Sequence, residues 1–491
     1  MSVAFDRLPP GAMLIGQDWI SDSSGGVFEH IYPATGKVNA TITMAGPEEI
    51  DRAVTTAWAA QQVWMKITVD KRRDILLRLA DLVEQHMAEL VWMTTQDIGI
   101  PIGAAGVHPN QLVRFLRYYA GWMDKSFGYT TPVSQSRDVN MIDYEPYGVV
   151  AVIVPWNAPL FILGMAVAPA LAAGNAVVIK PPELAPLSAL RFGELCLEAG
   201  LPPGLVNIVP GGPDVGDALV RHKGVRKIHF TGGGPTAKII TRAAADNLTP
   251  VATELGGTAA TLVFPDIEDI QKTAMMAAIS GPLAQSGQHC ACAVRLMVHD
   301  SIYDDFAAAY VSVIENAKIG DPLAKDTMVG PLVTEGAMQR ILSHVDRAVD
   351  QKMGTLLTGG QQVSSQMEGE LTGGYFVSPA VFGDVDNRSD LAQVETFGPV
   401  ISLLRFSDTA DAVRMANDTD FGLNAYVHTN DLKTAHSVAR SLQSGSVWVN
   451  CFSNVAPQSP YGGYKQSGVG RAGGIEGLRE FQQAKTIRIG M

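Results

Sequence analysis

The sequence predicts an α/β protein built on buried parallel sheet, and three observations carry that reading. Short β-branched runs alternate with helix-length segments between residues 149 and 264. These runs are apolar throughout, not apolar at every second position, which marks strands covered on both faces. A second stretch of the same alternation extends from about residue 290 to 449. The chain has room for such cores. Its 491 residues correspond to about three structural units, and a chain this long can bury roughly three-quarters of its extended surface.

Taken in order, the first 45 residues are turn-rich, with a β-prone piece at 38–43. Residues 47–93 read as helices: Pro47 suits a first turn, and Glu48, Glu49 and Asp51 complement the positive helix N-terminus. Ile75, Leu76, Leu79, Leu82 and Val83 keep helical spacing, and the pattern resumes over about 110–124. Strands are predicted at 149–154, 176–179, 206–209, 227–230 and 261–264, with crossover helices at 161–173, 185–199, 215–222 and 236–246. In the second region 295–298, 400–406 and 446–450 are strand candidates. The β-prone end 486–489 has two candidate partners, another part of this chain or a second subunit.

Composition excludes several functions. A net charge of −12, with no long basic run, opposes nucleic-acid binding, which draws its affinity from Lys and Arg on phosphates. The most membrane-like stretch, 149–179, is punctuated by Pro155, Asn157, Pro159, Pro169, Gly174 and Asn175, so no membrane span is expected. Residues 1–11 hold Asp6, Arg7 and two prolines and do not read as a signal peptide. Four cysteines are too few for a disulfide framework, which points to a reducing cytoplasm.

Ligands bind open parallel sheets at the carboxyl ends of the strands, so chemistry is sought there. After the strand at 227–230, Gly232 to Ala237 satisfy G-x-G-x-x-A at a helix start, and Glu254 lies twenty residues past Gly234. That is a dinucleotide fingerprint with a ribose-binding acid. The same glycines also suit a plain helix start, and Thr253–Gly257 read as leading into the next strand, not as closing one. Lys180 and Glu183 follow the strand at 176–179 and could grip a ribose, or form a solvated pair. Cys290, in Gly287-Gln288-His289-Cys290-Ala291-Cys292, is the best nucleophile candidate. A metal site, a Cys–His pair with His289 and inert buried thiols compete with it. No further His/Cys cluster supports metal, so none is expected. Asn157, ending the first long strand, could offer its amide to an oxyanion.

Together these segments carry a specific resemblance. Pro155-Trp156-Asn157-Ala158-Pro159-Leu160, Lys180-Pro181-Pro182-Glu183, Phe230-Thr231-Gly232, Glu254-Leu255-Gly256-Gly257, Gly287-Gln288-His289-Cys290, Glu395-Thr396-Phe397-Gly398-Pro399 and Pro460 to Gly468 follow one another. Their order resembles that of the NAD(P)-dependent aldehyde dehydrogenase superfamily, in its hydrolytic, non-acylating branch. The resemblance implies Cys290 as nucleophile, an oxyanion hole from the Asn157 amide and the Cys290 N–H, and Glu254 as the base for thioester hydrolysis. Ile153, Pro155, Trp156, Lys180, Glu183, Phe230, Gly232, Gly233, Leu255, Glu395 and Phe397 are implied to bind NAD, with NADP a weaker second because Glu183 repels a 2′-phosphate. It further implies a Rossmann-like cofactor domain (1–128 and 147–256), an α/β catalytic domain (257–471) and a small β oligomerisation element (129–146 and 472–491) of a homodimer or homotetramer.

Two departures stand out: Gly233 where the family often has Ser, and Ala472 where Glu is frequent. The implied substrate pocket holds Ala158, Ile162, Met165, Ala284, Gln285, Phe452, Val455 and Tyr461, with no Arg or Lys to meet a charged substrate. A bulky apolar or aromatic aldehyde is therefore expected. The alternatives are an unspecialised broad pocket, a CoA-acylating semialdehyde dehydrogenase, a Cys-dependent hydrolase and a catalytically silent protein of the same fold.

Overall fold

The computed structural model describes residues 8–126, 128–132, 138–452 and 455–490. Residues 1–7 of the start, 127, 133–137 of the segment 129–146, 453–454 and 491 lie outside them. The alternating apolar runs form an eight-stranded sheet whose central five strands are parallel. Their spatial order is Val251–Leu255, Lys227–Gly232, Val149–Ile153, Ala176–Lys180, Val206–Ile208. The first of them in the chain, Val149–Ile153, sits in the middle, and the order reverses on its two sides. This is the doubly wound arrangement of a dinucleotide-type sheet. Gly468–Val469 closes one edge antiparallel, and Met13–Ile15 with Asp18–Ile20 close the other.

Helices cover both faces. Pro47–Lys66 carries its predicted Pro and acids in the first turn. Val69–Gln85, Met87–Ile98 and Val107–Ala120 complete the amino-terminal helices, the last beginning and ending a few residues before the predicted span. The most membrane-like stretch, 149–179, consists of the strands Val149–Ile153 and Ala176–Lys180 with the helix Pro159–Ala173 between them, the helix buried around almost its whole circumference. Its Gly164 lies so close to the helix Val107–Ala120 that an added Cβ would stand 3.0 Å from the Leu112 Cα. Enclosure by protein accounts for its apolarity, and among the described residues no helix is long and apolar enough to cross a membrane.

One sequence expectation is corrected here. Residues 251–255 do not merely lead into the next strand: Val251–Leu255 is itself a strand, parallel to Lys227–Gly232, and it carries Glu254 near its carboxyl end. Its period is hidden by the Gly-Gly that follows, which reads as a turn yet joins two sheets. Gly256, Gly257 and Thr258 connect it to Ala259–Val263 of a second, seven-stranded sheet. There the strands run Thr355–Thr358, Ala380–Gly383, Val400–Phe406, Ala293–His299, Ala259–Val263, Asn424–His428, Ser446–Val449, all parallel except the first. Thr355–Thr358, Ala380–Gly383 and Asn424–His428 were not among the predicted strands.

The terminal strand Gln482–Ile489 pairs antiparallel with Val139–Pro146 of the same chain along its whole length, and Tyr129–Thr130 adds a third strand. Of the two predicted partners, the intramolecular one is present.

Candidate active site

Where the parallel order reverses, neighbouring crossovers leave on opposite faces and open a crevice at the strands' carboxyl ends. Here that crevice is a cavity of about 1030 Å³, and every site residue expected from the sequence lines it. One end is bordered by Ile153, Pro155, Trp156, Lys180, Glu183, Phe230, Gly232, Gly233 and Leu255. Burial holds the Lys180 ammonium below its usual range, with Glu183 opposing. The helices Pro213–Arg221 and Gly234–Ala244 both start at this end, with Gly212 and Gly233 at their N-caps and no side-chain cap. A Cβ added to Gly212, Gly216 or Gly234 would meet nothing within 4 Å, so the backbone there faces open space. Uncapped N–H groups and helix dipoles suit a pyrophosphate, and a Lys–Glu pair suits ribose hydroxyls. The residues present therefore fit a dinucleotide.

Further in, Trp156 meets Phe397 edge-to-face at 5.5 Å. Glu395 Oε1 accepts from the Gly257 N–H at 2.9 Å. A Cβ on Gly256 would lie 1.8 Å from that oxygen, so only glycine admits this approach. Burial pushes the Glu395 carboxyl up to about 7, against the pull of the Gly257 N–H and Arg340.

Glu254, near the end of the strand Val251–Leu255, and Cys290, in the turn before Ala293–His299, line the same cavity. Burial pushes Glu254 well above the usual carboxylate range; Arg471 opposes this and Glu480 adds to it. Its Oε2 has no partner among the described residues. Burial is also the main cause that pushes the Cys290 thiol up to about 11. The Tyr461 hydroxyl, 3.8 Å from Sγ, pulls it down, while Glu395 and Glu254 raise it further. Burial thus favours the protonated form of the resting thiol, and Glu395 and Glu254 are the carboxylates near enough to act on it.

Asn157 donates from Nδ2 to the Gln288 carbonyl at 3.0 Å, which fixes the amide and leaves its second hydrogen without a partner among the described residues. The turn before Cys290 is left-handed at three successive residues, Gln285 (φ 52), Ser286 (φ 55) and Gly287 (φ 72). Two non-glycine residues in that region store strain, which surrounding bonds must hold. Ser286 donates to the Gly330 carbonyl at 2.8 Å, and Gln288 accepts from the Val333 N–H at 2.9 Å. Gln285 Nε2 donates to the Asn157 carbonyl at 2.8 Å. His289 is half-buried with Nε2 at the Gly281 carbonyl, and desolvation holds it down at about 4, so it is neutral.

The remaining expected residues, Ala158, Ile162, Met165, Ala284, Gln285, Phe452, Val455 and Tyr461, border the rest of the cavity. Sequence reasoning missed Ile100, Val107, His108 and Phe161, which border it too. Three of these lie some fifty residues before the first motif, where nothing local signals their approach. Beside Ala472, where the frequent Glu is missing, Glu480 supplies a carboxylate: it accepts from the Arg471 N–H at 3.3 Å and from Lys227 Nζ at 2.9 Å. Among the described residues no group of three or more His, Cys, Asp or Glu could hold a metal ion.

The pattern that defines the aldehyde dehydrogenase family matches residues 19–487. Aldehyde dehydrogenase family 2 member B4, mitochondrial, of Arabidopsis thaliana is 40% identical over 480 residues, covering 97% of this chain and 87% of that one. Benzaldehyde dehydrogenase, mitochondrial, of Antirrhinum majus is 39% identical over 492 residues, covering 99% and 89%. The NAD+ complex structure of aldehyde dehydrogenase from Bacillus cereus superposes with a TM-score of 0.94 at 36% identity, covering 98% and 97%. The chain therefore belongs to the aldehyde dehydrogenase family, and its activity is the oxidation of an aldehyde to the carboxylic acid.

Proposed function

We propose that Cys290, Asn157 and Glu254 carry that oxidation on NAD, with a bulky apolar or aromatic aldehyde as substrate. The observation that carries the proposal is the shared cavity: nucleophile, amide and base line one space with an open, uncapped dinucleotide-sized end. A nicotinamide held beside Glu395 and Phe397 would supply the hydride acceptor. Cys290 loses its proton to a neighbouring carboxylate and adds to the aldehyde carbon. The free Asn157 amide hydrogen and the Cys290 N–H stabilise the oxyanion of the resulting thiohemiacetal. Loss of hydride leaves a thioester on Sγ. Glu254, its basicity raised by burial, takes a proton from the water that attacks the thioester, and the acid leaves with the thiol restored.

Lys180 and Glu183 are proposed to hold the adenosine ribose, with Glu183 disfavouring a 2′-phosphate, so NAD is preferred over NADP. Gly233 is proposed to contact the pyrophosphate through its backbone, and Glu395 and Phe397 to hold the nicotinamide end. The division into a cofactor domain (1–128, 147–256), a catalytic domain (257–471) and an oligomerisation element (129–146, 472–491) is proposed on the separation of the sheets. Four free cysteines support a reducing compartment, the cytoplasm. The apolar substrate reading is supported by the absence of any charged side chain among the described cavity residues from 100–108, 158–165, 279–285 and 452–455. The name of the Antirrhinum majus relative adds support.

The test is the appearance of reduced nicotinamide with NAD or NADP and aldehydes from acetaldehyde to benzaldehyde and citral, with and without CoA. CoA-independent reduction of NAD favouring the larger aldehydes is expected. Turnover that requires CoA would overturn the hydrolytic assignment.

A further inference from the structure

The Asn157 backbone carbonyl can only accept a hydrogen bond, so the Gln285 atom 2.8 Å from it must be the amide nitrogen. The same nitrogen stands 3.0 Å from His108 Nε2. Since that nitrogen can only donate, His108 Nε2 accepts, and the imidazole carries its proton on Nδ1. Burial holds His108 down at about 4, which agrees with a neutral ring. Both amide hydrogens of Gln285 are thereby committed to protein, one to each partner.

The remaining atom of the side chain, Oε1, has no partner among the described residues. It is not one of the enclosed, unpartnered atoms either, whereas His108 Nδ1 is. Gln285 is half-buried and borders the cavity, so Oε1 is an accessible oxygen that can only accept. Ser280, buried on the same cavity, gives its hydroxyl proton to the Met276 carbonyl at 2.8 Å and likewise retains only lone pairs. Gln285 Oε1 and the Ser280 hydroxyl oxygen thus both present acceptor lone pairs to the cavity.

We propose that the substrate of this site is an aldehyde bearing a neutral hydrogen-bond donor, a hydroxyl on its ring or chain, which Gln285 Oε1 receives; this rests on the apolar or aromatic reading above. A cationic amine is disfavoured, because among the described residues no carboxylate at this end offsets the loss of its hydration. A carboxylate or phosphate would face lone pairs. An ether or an unsubstituted ring would leave Oε1 dehydrated without a partner, the more costly outcome for a buried acceptor.

The experiment compares kcat/KM on the full-length enzyme for benzaldehyde, its three hydroxy isomers and their methoxy counterparts, at a pH where the phenols stay protonated. One hydroxy isomer is expected to exceed both its methoxy counterpart and benzaldehyde by about tenfold. In Gln285→Met, released Asn157 lowers all rates together, and the hydroxy-to-methoxy ratio is expected to collapse towards one. Benzaldehyde oxidised with no hydroxyl preference overturns this inference alone. No aromatic aldehyde oxidised, with short aliphatic ones consumed, overturns the aromatic reading as well. The wild-type comparison decides the matter even if the variant does not fold.

Discussion

Cys290 is surrounded by groups that keep its thiol protonated, and the same groups define what its replacement does. Cys290→Ala is expected to abolish both dehydrogenase and esterase activity. Glu254→Gln is expected to slow steady-state turnover by 100-fold or more (roughly the contribution of a general base) while a first burst of reduced nicotinamide survives. An unimpaired steady-state rate would remove Glu254 from its role; stopped-flow absorbance separates the two phases. Glu395 supplies a pH test of stability. Its carboxyl is raised from 4.5 to about 7, so the folded state holds the proton more tightly than the unfolded chain. Stability from this group is full below pH 4.5 and is lost as pH rises through about 7. Glu395→Gln keeps the acceptor for the Gly257 N–H but cannot ionise. The variant is expected to gain relative to wild type by about 3 kcal/mol on going from acid to alkaline pH, an order-of-magnitude figure. Denaturant titration at both ends of the range measures it, and parallel profiles would contradict it. At this scale the sequence displayed which residues act, because each motif is contiguous. The Gln285–His108 bond was illegible, since its partners are 177 residues apart.

Among the elements, the left-handed turn Gln285–Gly287 is the tightest constraint on the nucleophile. A Cβ on Gly287 would sit 2.4 Å from the Gly398 carbonyl oxygen at a φ of 72°. Gly287→Ala is therefore expected to cost about 2 kcal/mol and to reduce kcat while cofactor binding, read by tryptophan fluorescence, persists. Full activity in that variant would show that the turn yields freely. Arg295 illustrates a second dependence. It is buried and donates to the carbonyls of Thr258, Met415 and Ala416 and to Asn387 Oδ1, so it closes the carboxyl end of the helix Thr409–Asn417. Arg295→Met is expected to lower stability by about 3 kcal/mol, the cost of orphaning several buried acceptors, with a matching fall in thermal midpoint. Long periodic helices were legible at this scale. Val251–Leu255 and the strands at Thr355, Ala380 and Asn424 were not, because runs of four or five residues, three of them carrying polar side chains, are too short to display a period of their own.

Over the whole molecule, the two large sheets are joined through Gly256–Thr258, and among the described residues a three-stranded sheet and the two-stranded pair Val27–Tyr32 with Lys37–Thr43 share no strand pairing with either. The three-stranded sheet is built of Gln482–Ile489, Val139–Pro146 and Tyr129–Thr130. Its strands expose Tyr129, Val139 and Ile489. A homodimer or homotetramer is proposed through this element. Sedimentation is expected to give one of those masses for the full chain and a monomer once residues 482–491 are removed; a monomeric full chain at micromolar concentration would contradict it.

The sequence by itself determined the α/β class, the strand–helix rhythm and the order of the chemical motifs. Each of these is a local property, set by side-chain polarity, backbone preference and neighbours within a few residues. Tertiary structure alone decided which carboxylates face the thiol, how far burial raises their basicity, and which atom of Gln285 is left facing the cavity. Those quantities depend on groups brought together across more than a hundred residues and on the removal of water between them. No local pattern encodes either.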